Sequence, residues 1–289
     1  MIRFIYINIV ISFLFIYQGF LPAQSKSDFA NHLFNNGDYY RAISEYKELS
    51  FFSKNNDSVF NYEMQIARSY RLSKKYETSV FYFSNILNKN ASIKTGELDI
   101  CYFNIGLNYL GLKIPSQTIQ YSSLLSNNSI DKKHLLNGYF YLKTNQYDSS
   151  LKYFKLSEIQ SKDSSIRMIS SQYRNNIIEY LKAPQKSTFL ATALSIIVPG
   201  MGQVYTKHYV DGLQAFGFVA VFGFTTYATY KYDQKYSANY LLTIISAAIT
   251  SSFYVANIIS ANTTAQYYNQ RVKDKYFYDL DNNLMNTNF

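Results

Sequence analysis

Three runs near the C-terminal end of the chain, residues 187–205, 212–230 and 238–270, contain no Asp, Glu, Lys or Arg. An apolar helix of ~20 residues, rising ~1.5 Å per residue, matches a bilayer hydrocarbon core of ~30 Å. The second run has that length and the third exceeds it, so both are expected to cross a membrane. The first is interrupted by Pro199-Gly200 and Gly202. Proline removes a backbone donor and clashes with the preceding turn, and glycine admits dihedrals closed to other residues. Irregular backbone at membrane depth persists only where protein or trapped water satisfies its polar groups. The first run is therefore expected to be a broken or re-entrant helix packed on the two spans that follow.

The opposite end reads as a leader. Met1-Ile-Arg3 precedes the apolar stretch Phe4–Tyr17, and Leu21-Pro22-Ala23 offers a cleavage site before Gln24. Residues 1–23 are expected to be a signal peptide, with an uncleaved anchor helix as the alternative. No cysteine follows the cleavage point, which argues against a lipoprotein. Export is expected either way.

Residues 24–182 repeat a pattern. Ala30-x-x-Leu33 is followed by Gly37-Asp-Tyr39, Ala42, Tyr46 and Leu49. The spacing returns as Ala67, Tyr70, Tyr76, Ser79 and Phe83, then as Gly106, Tyr109 and Thr118, and again as Gly138, Tyr141, Tyr147, Ser150 and Phe154. Small residues recur where two helices of a pair would cross, and aromatics fill the gaps between pairs. The pattern resembles tetratricopeptide repeats, with a period of ~34 residues. That resemblance implies about four helical-hairpin units, with a final helix from Ser164 capping the stack. Pro115 stands where an aromatic is expected, and Ser or Thr replaces Ala in three units, so those units read as degenerate. Residues 183–186 form a linker.

The C-terminal part carries a second resemblance. Pro199-Gly200-x-Gly202-Gln203-x-Tyr205, Asp211-Gly212, Asn257 and Asn269-x-Arg271 are similar to a bacterial membrane-domain family. Its members often follow an exported tetratricopeptide region, and some occur with membrane-protein insertion efficiency factors. Thr206-Lys207-His208 departs from the glycine that many members carry after the tyrosine. The resemblance covers residues 187 to about 278 and implies a membrane domain, set here at 187–265; by composition a polar tail at 266–289 follows, whose last ten residues lack periodicity and are expected to be unstructured.

Composition narrows the chemistry. The formal net charge is +9, but Lys and Arg are scattered, so attraction to anionic lipid is expected and nucleic-acid binding is not. A single cysteine, Cys101, excludes an intramolecular disulfide and a cysteine-cluster zinc site. His32, His134 and His208 lack metal-ligand spacing, and no nucleophile elbow or intramembrane acid pair is present. Neither enzyme activity nor a cofactor is expected.

Two amides stand out in apolar surroundings. Unpaired, Gln203 or Asn257 would cost a few kcal/mol. They are expected to hydrogen-bond across helices; a polar path for an ion or substrate is the alternative. Gly212, Gly217 and Gly223, with Ala248, Ser252 and Ala256, suggest close helix packing within the domain or in a homo-oligomer. The Pro-Gly break favours two crossings, while Arg271, Lys273 and Lys275 set against Lys231 and Lys235 favour three.

The expected architecture is all-α: a tetratricopeptide-like solenoid followed by a small helical membrane domain. The expected protein is an exported scaffold or adaptor in a bacterial inner membrane, with its repeats on the outer or periplasmic side. It would bind protein or peptide partners through the repeat groove and assist envelope or membrane-protein assembly. A small transport or channel component is the rival.

Overall fold

Helix boundaries in the first part of the chain follow local chemistry. The structure, a computed structural model, describes residues 26–89, 94–236 and 239–287, so the expected leader at 1–23 lies outside them. Among the described residues nine α-helices run from Lys26 to Lys182: α1 Lys26–Asn35, α2 Tyr39–Phe52, α3 Asn56–Leu72, α4 Tyr76–Lys89, α5 Thr95–Gly111, α6 Pro115–Ser123, α7 Ile130–Lys143, α8 Tyr147–Gln160 and α9 Ser164–Lys182. The Asp38 side chain accepts from Arg41 N, and the Asn55 side chain accepts from the amides of Asp57 and Ser58. These caps satisfy amides that a helix start leaves without a partner. Pro115 opens α6 at a position where an amide would be unpaired in any case. Where the sequence suggests a weakened unit, the proline is a helix start.

The first eight helices form four sequential antiparallel pairs, a repeat-like array in which the same devices recur. Each turn within a pair has one left-handed residue: Gly37, Lys74, Lys113 or Asn145. Each is closed by a following amide that reaches back to a helix carbonyl: Asp38 to Leu33, Lys75 to Tyr70, Ile114 to Tyr109, and Gln146 to Tyr141. Stacked tyrosines join the helices of three pairs: Tyr70–Tyr82 at 5.0 Å, Tyr109–Tyr121 at 5.6 Å and Tyr141–Tyr153 at 5.3 Å between ring centroids.

The small residues sit at the crossings. Ala30, Ala42 and Ala67 are fully buried. A Cβ on Gly106 would lie 2.8 Å from Leu136, and one on Gly138 would lie 2.9 Å from Phe154. Ser79 Oγ donates to Ala67 O at 2.7 Å, Thr118 Oγ1 to Gly106 O at 3.2 Å, and Ser150 Oγ to Gly138 O at 2.7 Å. The hydroxyls read as signs of degeneracy are each partnered in the same way. Tyr39 and Tyr70 pack on one core cluster, in which Tyr46 is buried, and Tyr109 on the next. The Tyr76 ring covers Gly111, Phe154 is fully buried, and Tyr147 Oη donates to Asn145 Oδ1. Cys101 is a free thiol within the core, and burial pushes its pKa up to about 12.

Four more helices follow: α10 Thr188–Ile197, α11 Met201–Tyr205, α12 Tyr209–Tyr236 and α13 Leu241–Asn286. The chain divides into two compact units, one running to Ser171 and taking in the stretch from Asn283, the other Gln172–Asn282. Within the second unit α12 and α13 lie antiparallel. Phe222 stacks on Phe253, Thr226 meets Thr250, Thr229 meets Ser246, and Thr243 donates to Asp233. The second half of α9 packs on α13 through Tyr173 Oη to Asp281 at 2.9 Å and Asn176 Nδ2 to Tyr276 O at 2.6 Å.

Two expectations need correction. The polar tail set at 266–289 does not begin a new segment, because α13 runs without a break from Leu241 to Asn286. Its later turns bury Phe277 and Leu280 in the second unit, and Leu284 and Met285 in the first. This apolar stripe has helical spacing, but Asp279, Asp281, Asn282 and Asn283 dilute it in the sequence. In addition, Gly217 and Gly223 have no neighbour within 4 Å of an added Cβ, so they serve no close crossing among the described residues. Gly212 does.

Candidate functional site

The second unit is built around the segment that carries Pro199 and Gly200. Asn269 on α13 holds the backbone of Lys186 at the entrance, accepting from its amide and donating to its carbonyl, both at 2.8 Å. Further along α10 the partners move back along α13: Ser195 O accepts from Asn257 Nδ2 at 3.0 Å, and Ile196 O from Tyr254 Oη at 2.6 Å. After Val198-Pro199 the chain reverses at Gly200 and returns through α11. Tyr205 Oη then accepts from the Ser187 amide at 3.2 Å, and His208 pairs with Arg271. The segment enters and leaves at the same end of α13. It is a helical hairpin.

Two glycines are sterically required here. Gly200 has φ +88°, and a Cβ there would lie 2.0 Å from Gly212 O. At Gly202 a Cβ would lie 2.1 Å from Ala191 O. The reversal exposes amides that need acceptors, and buried side chains supply them. Asn257 Oδ1 accepts from Gly200 N at 2.8 Å, and Ser195 Oγ accepts from Gly202 N at 3.0 Å. Ser195 Oγ donates to Gln203 Oε1 at 3.0 Å, while Gln203 Nε2 donates to Asn257 O at 3.1 Å. Gln203 and Asn257 are 0% and 3% exposed. The two amides that the sequence singled out meet each other and the reversed backbone. Ser195, equally central, was missed: a serine on an apolar helix gives no signal of its own.

The entrance is ringed by cations and aromatics. Lys186 Nζ lies 4.3 Å from the Tyr205 ring centroid and 5.8 Å from that of Tyr268. Below this ring a cavity of about 270 Å³ opens between α12 and α13. Asp211 and Gln214 line it with Asn257 and Ser260, and Phe218 and Phe253 form its apolar wall.

A second buried polar group lies in the first unit and had no sequence signal. Arg71 is fully buried and donates through Nε to Asn104 Oδ1 at 3.0 Å, through one terminal nitrogen to Met285 O at 2.7 Å, and through the other to Thr287 O at 2.8 Å. Burial lowers its pKa to about 10, which keeps it charged at neutral pH. A cation at carbonyls that end a helix is favoured by the helix dipole.

Among the described residues, no group of three or more His, Cys, Asp and Glu side chains converges on a metal-sized site. One described helix, α13, is long and apolar enough to cross a membrane, with a mean hydropathy of 1.7 in its best window, and that window is mostly exposed. No family model, curated protein or solved structure matches this chain. The fold thus defines an all-helical protein of stacked helix pairs with one long apolar C-terminal helix.

Proposed function

We propose that the chain is a membrane-anchored scaffold or adaptor. In this reading its helix pairs are tetratricopeptide-like repeats that bind a protein or peptide, and its C-terminal unit holds them at a bacterial inner membrane. The observation that carries the reading is an inverted distribution of polarity in the second unit. Phe189, Leu213 and Phe224 are 81%, 72% and 72% exposed, while Ser195, Gln203 and Asn257 are enclosed. A contiguous apolar exterior of this kind marks a surface that meets lipid or protein rather than water.

Depth supports lipid. The hairpin occupies α13 from Asn269 to Tyr254, about 22 Å at ~1.5 Å per residue. Its tip lies beside Asn257, within the charge-free run 238–270 and level with the first turn of α12. Reversed backbone at that depth must have protein partners, and here it does. Lys186, Tyr205, Tyr268 and Arg271 gather at one end of α12 and α13; Tyr232, Tyr236 and Tyr240 gather at the other. Aromatic and basic residues collect at membrane interfaces in this way. Entry and exit at one end favour two crossings, α12 and the apolar part of α13, with the first charge-free run re-entrant.

The binding role draws on the start of the array. A cavity of about 510 Å³ is lined by Lys26, Glu48, Leu49, Phe52, Ser53 and Tyr62. Phe51 and Phe52 beside it are 82% and 71% exposed. Exposed aromatics beside a concavity suit an anchor contact with a partner.

A photo-crosslinking amino acid placed at Phe52 in the full-length chain, in native membranes, tests both parts. Discrete adducts in the carbonate-resistant fraction are expected, and the same probe at Phe224 should give lipid rather than protein adducts. Release of the chain by carbonate would remove the anchor. Absence of any protein adduct from the array would remove the adaptor role.

A further inference from the structure

The cavity between α12 and α13 is not accounted for by the hairpin. Asn257 is committed to Gly200 and Ser195, but Asp211 and Gln214 carry no side-chain hydrogen bond or ion pair among the described residues. In the membrane reading, on which this inference rests, Asp211 lies one helical turn inside the His208–Arg271 pair, since the Gly212 amide donates to His208 O. It is the one acidic residue between Lys207 and Lys231. Its place in the first turn of α12 suits the helix dipole, but that does not account for a cavity with an acceptor-rich end and an aromatic wall. A carboxylate at the edge of a hydrocarbon layer calls for a cationic partner.

We infer that this cavity binds the headgroup of a phospholipid bearing a primary ammonium. An ammonium has three N–H donors and no acceptor. The Asp211 carboxylate, the Gln214 amide oxygen and the Ser260 hydroxyl, all lining the cavity, supply three acceptors. Asp211 provides the opposite charge. The headgroup phosphate, a short linker away, lies level with the ammonium at the mouth of the cavity. The acyl chains then run down the Phe218 and Phe253 wall. The volume of about 270 Å³ suits a headgroup rather than a whole lipid, so the chains remain in the bilayer. A trimethylated headgroup has the charge without the N–H donors, and an anionic glycerol headgroup lacks the cation. Neither fits.

The test uses full-length protein, delipidated in detergent, with its thermal midpoint measured in mixed micelles. Phosphatidylethanolamine is expected to raise the midpoint by several degrees; phosphatidylcholine and phosphatidylglycerol at the same mole fraction are not. Asp211→Asn should abolish the shift and Asp211→Glu should keep part of it. Ala256→Phe, which fills the cavity without touching the acid, should also abolish it. Equal shifts with all three lipids, or a shift that survives both Asp211→Asn and Ala256→Phe, would overturn the inference. A shift of the same size with free ethanolamine would overturn the lipid assignment. Carbonate resistance of the unmodified chain is measured in parallel: its loss refutes the membrane reading, while resistance without a lipid-selective shift refutes only this site.

Discussion

The helix-pair array and the C-terminal unit solve the same problem from opposite sides. Both bury polar groups. In the array, hydroxyls such as Ser79, Thr118 and Ser150 cross a narrow gap to a carbonyl of the partner helix, inside a shell that is polar toward solvent. In the C-terminal unit, Ser195, Gln203 and Asn257 satisfy a reversed backbone inside a shell of Phe, Leu, Ile and Val. The first set joins helices that are regular without it. The second set makes an irregular turn tolerable at all. A lost hydrogen bond should therefore be a local matter in the array and a structural one in the hairpin.

The largest effect is expected at the reversal. Gly200→Ala must place a Cβ 2.0 Å from Gly212 O in a backbone with φ +88°. Left-handed strain of about 1–2 kcal/mol adds to overpacking of about 1–3 kcal/mol. Thermal unfolding in detergent should show the C-terminal unit losing its transition while the array keeps its own. Simultaneous loss of both would erase the contrast between the two regions.

An intermediate effect is expected at Arg71. Arg71→Ala leaves Asn104 Oδ1 and two carbonyls without their donor, at a cost of about 2–4 kcal/mol by denaturant titration. Arg71→Met fills the space and removes the buried charge, so it should cost less. Equal losses for the two substitutions would mean that the hydrogen bonds, and not the packing, set the energy.

The smallest effects are expected from Ser79→Ala, Thr118→Val and Ser150→Ala, each about 1 kcal/mol. The three sites lie in different helix pairs, so the triple variant should lose close to the sum of the single losses. An unchanged midpoint would show that alanine suits the crossing equally well, and that the shared hydroxyl contact carries no stability.

Much of this is legible in the sequence, for identifiable reasons. Helical periodicity with small residues at the crossings locates α1 to α8, because a hairpin of amphipathic helices has few ways to bury Ala30, Ala42, Ala67, Gly106 and Gly138. The pairing of Gln203 with Asn257 could be anticipated because two amides in apolar runs lack other partners. Turns at Lys74 and Lys113 were less legible, since lysine gives no cue for a left-handed residue. The continuation of α13 past Arg271 was hidden by its polar face, whose apolar stripe has meaning only once Phe277, Leu280 and Leu284 find their surfaces.

The sequence by itself determined the all-helical class, the charge-free runs and the necessity of a break at Pro199-Gly200, because charge, periodicity and the sterics of proline and glycine are local. Only the tertiary structure decided that the break is a chain reversal with both ends beside Asn269 and Arg271. It alone also brought Asn257 to the Ser195 carbonyl and set Arg71 against the carbonyls of Met285 and Thr287. Those outcomes depend on which helix lies beside which, and hydrogen-bond partners separated by more than 50 or 200 positions in the chain leave no mark on the residues next to them.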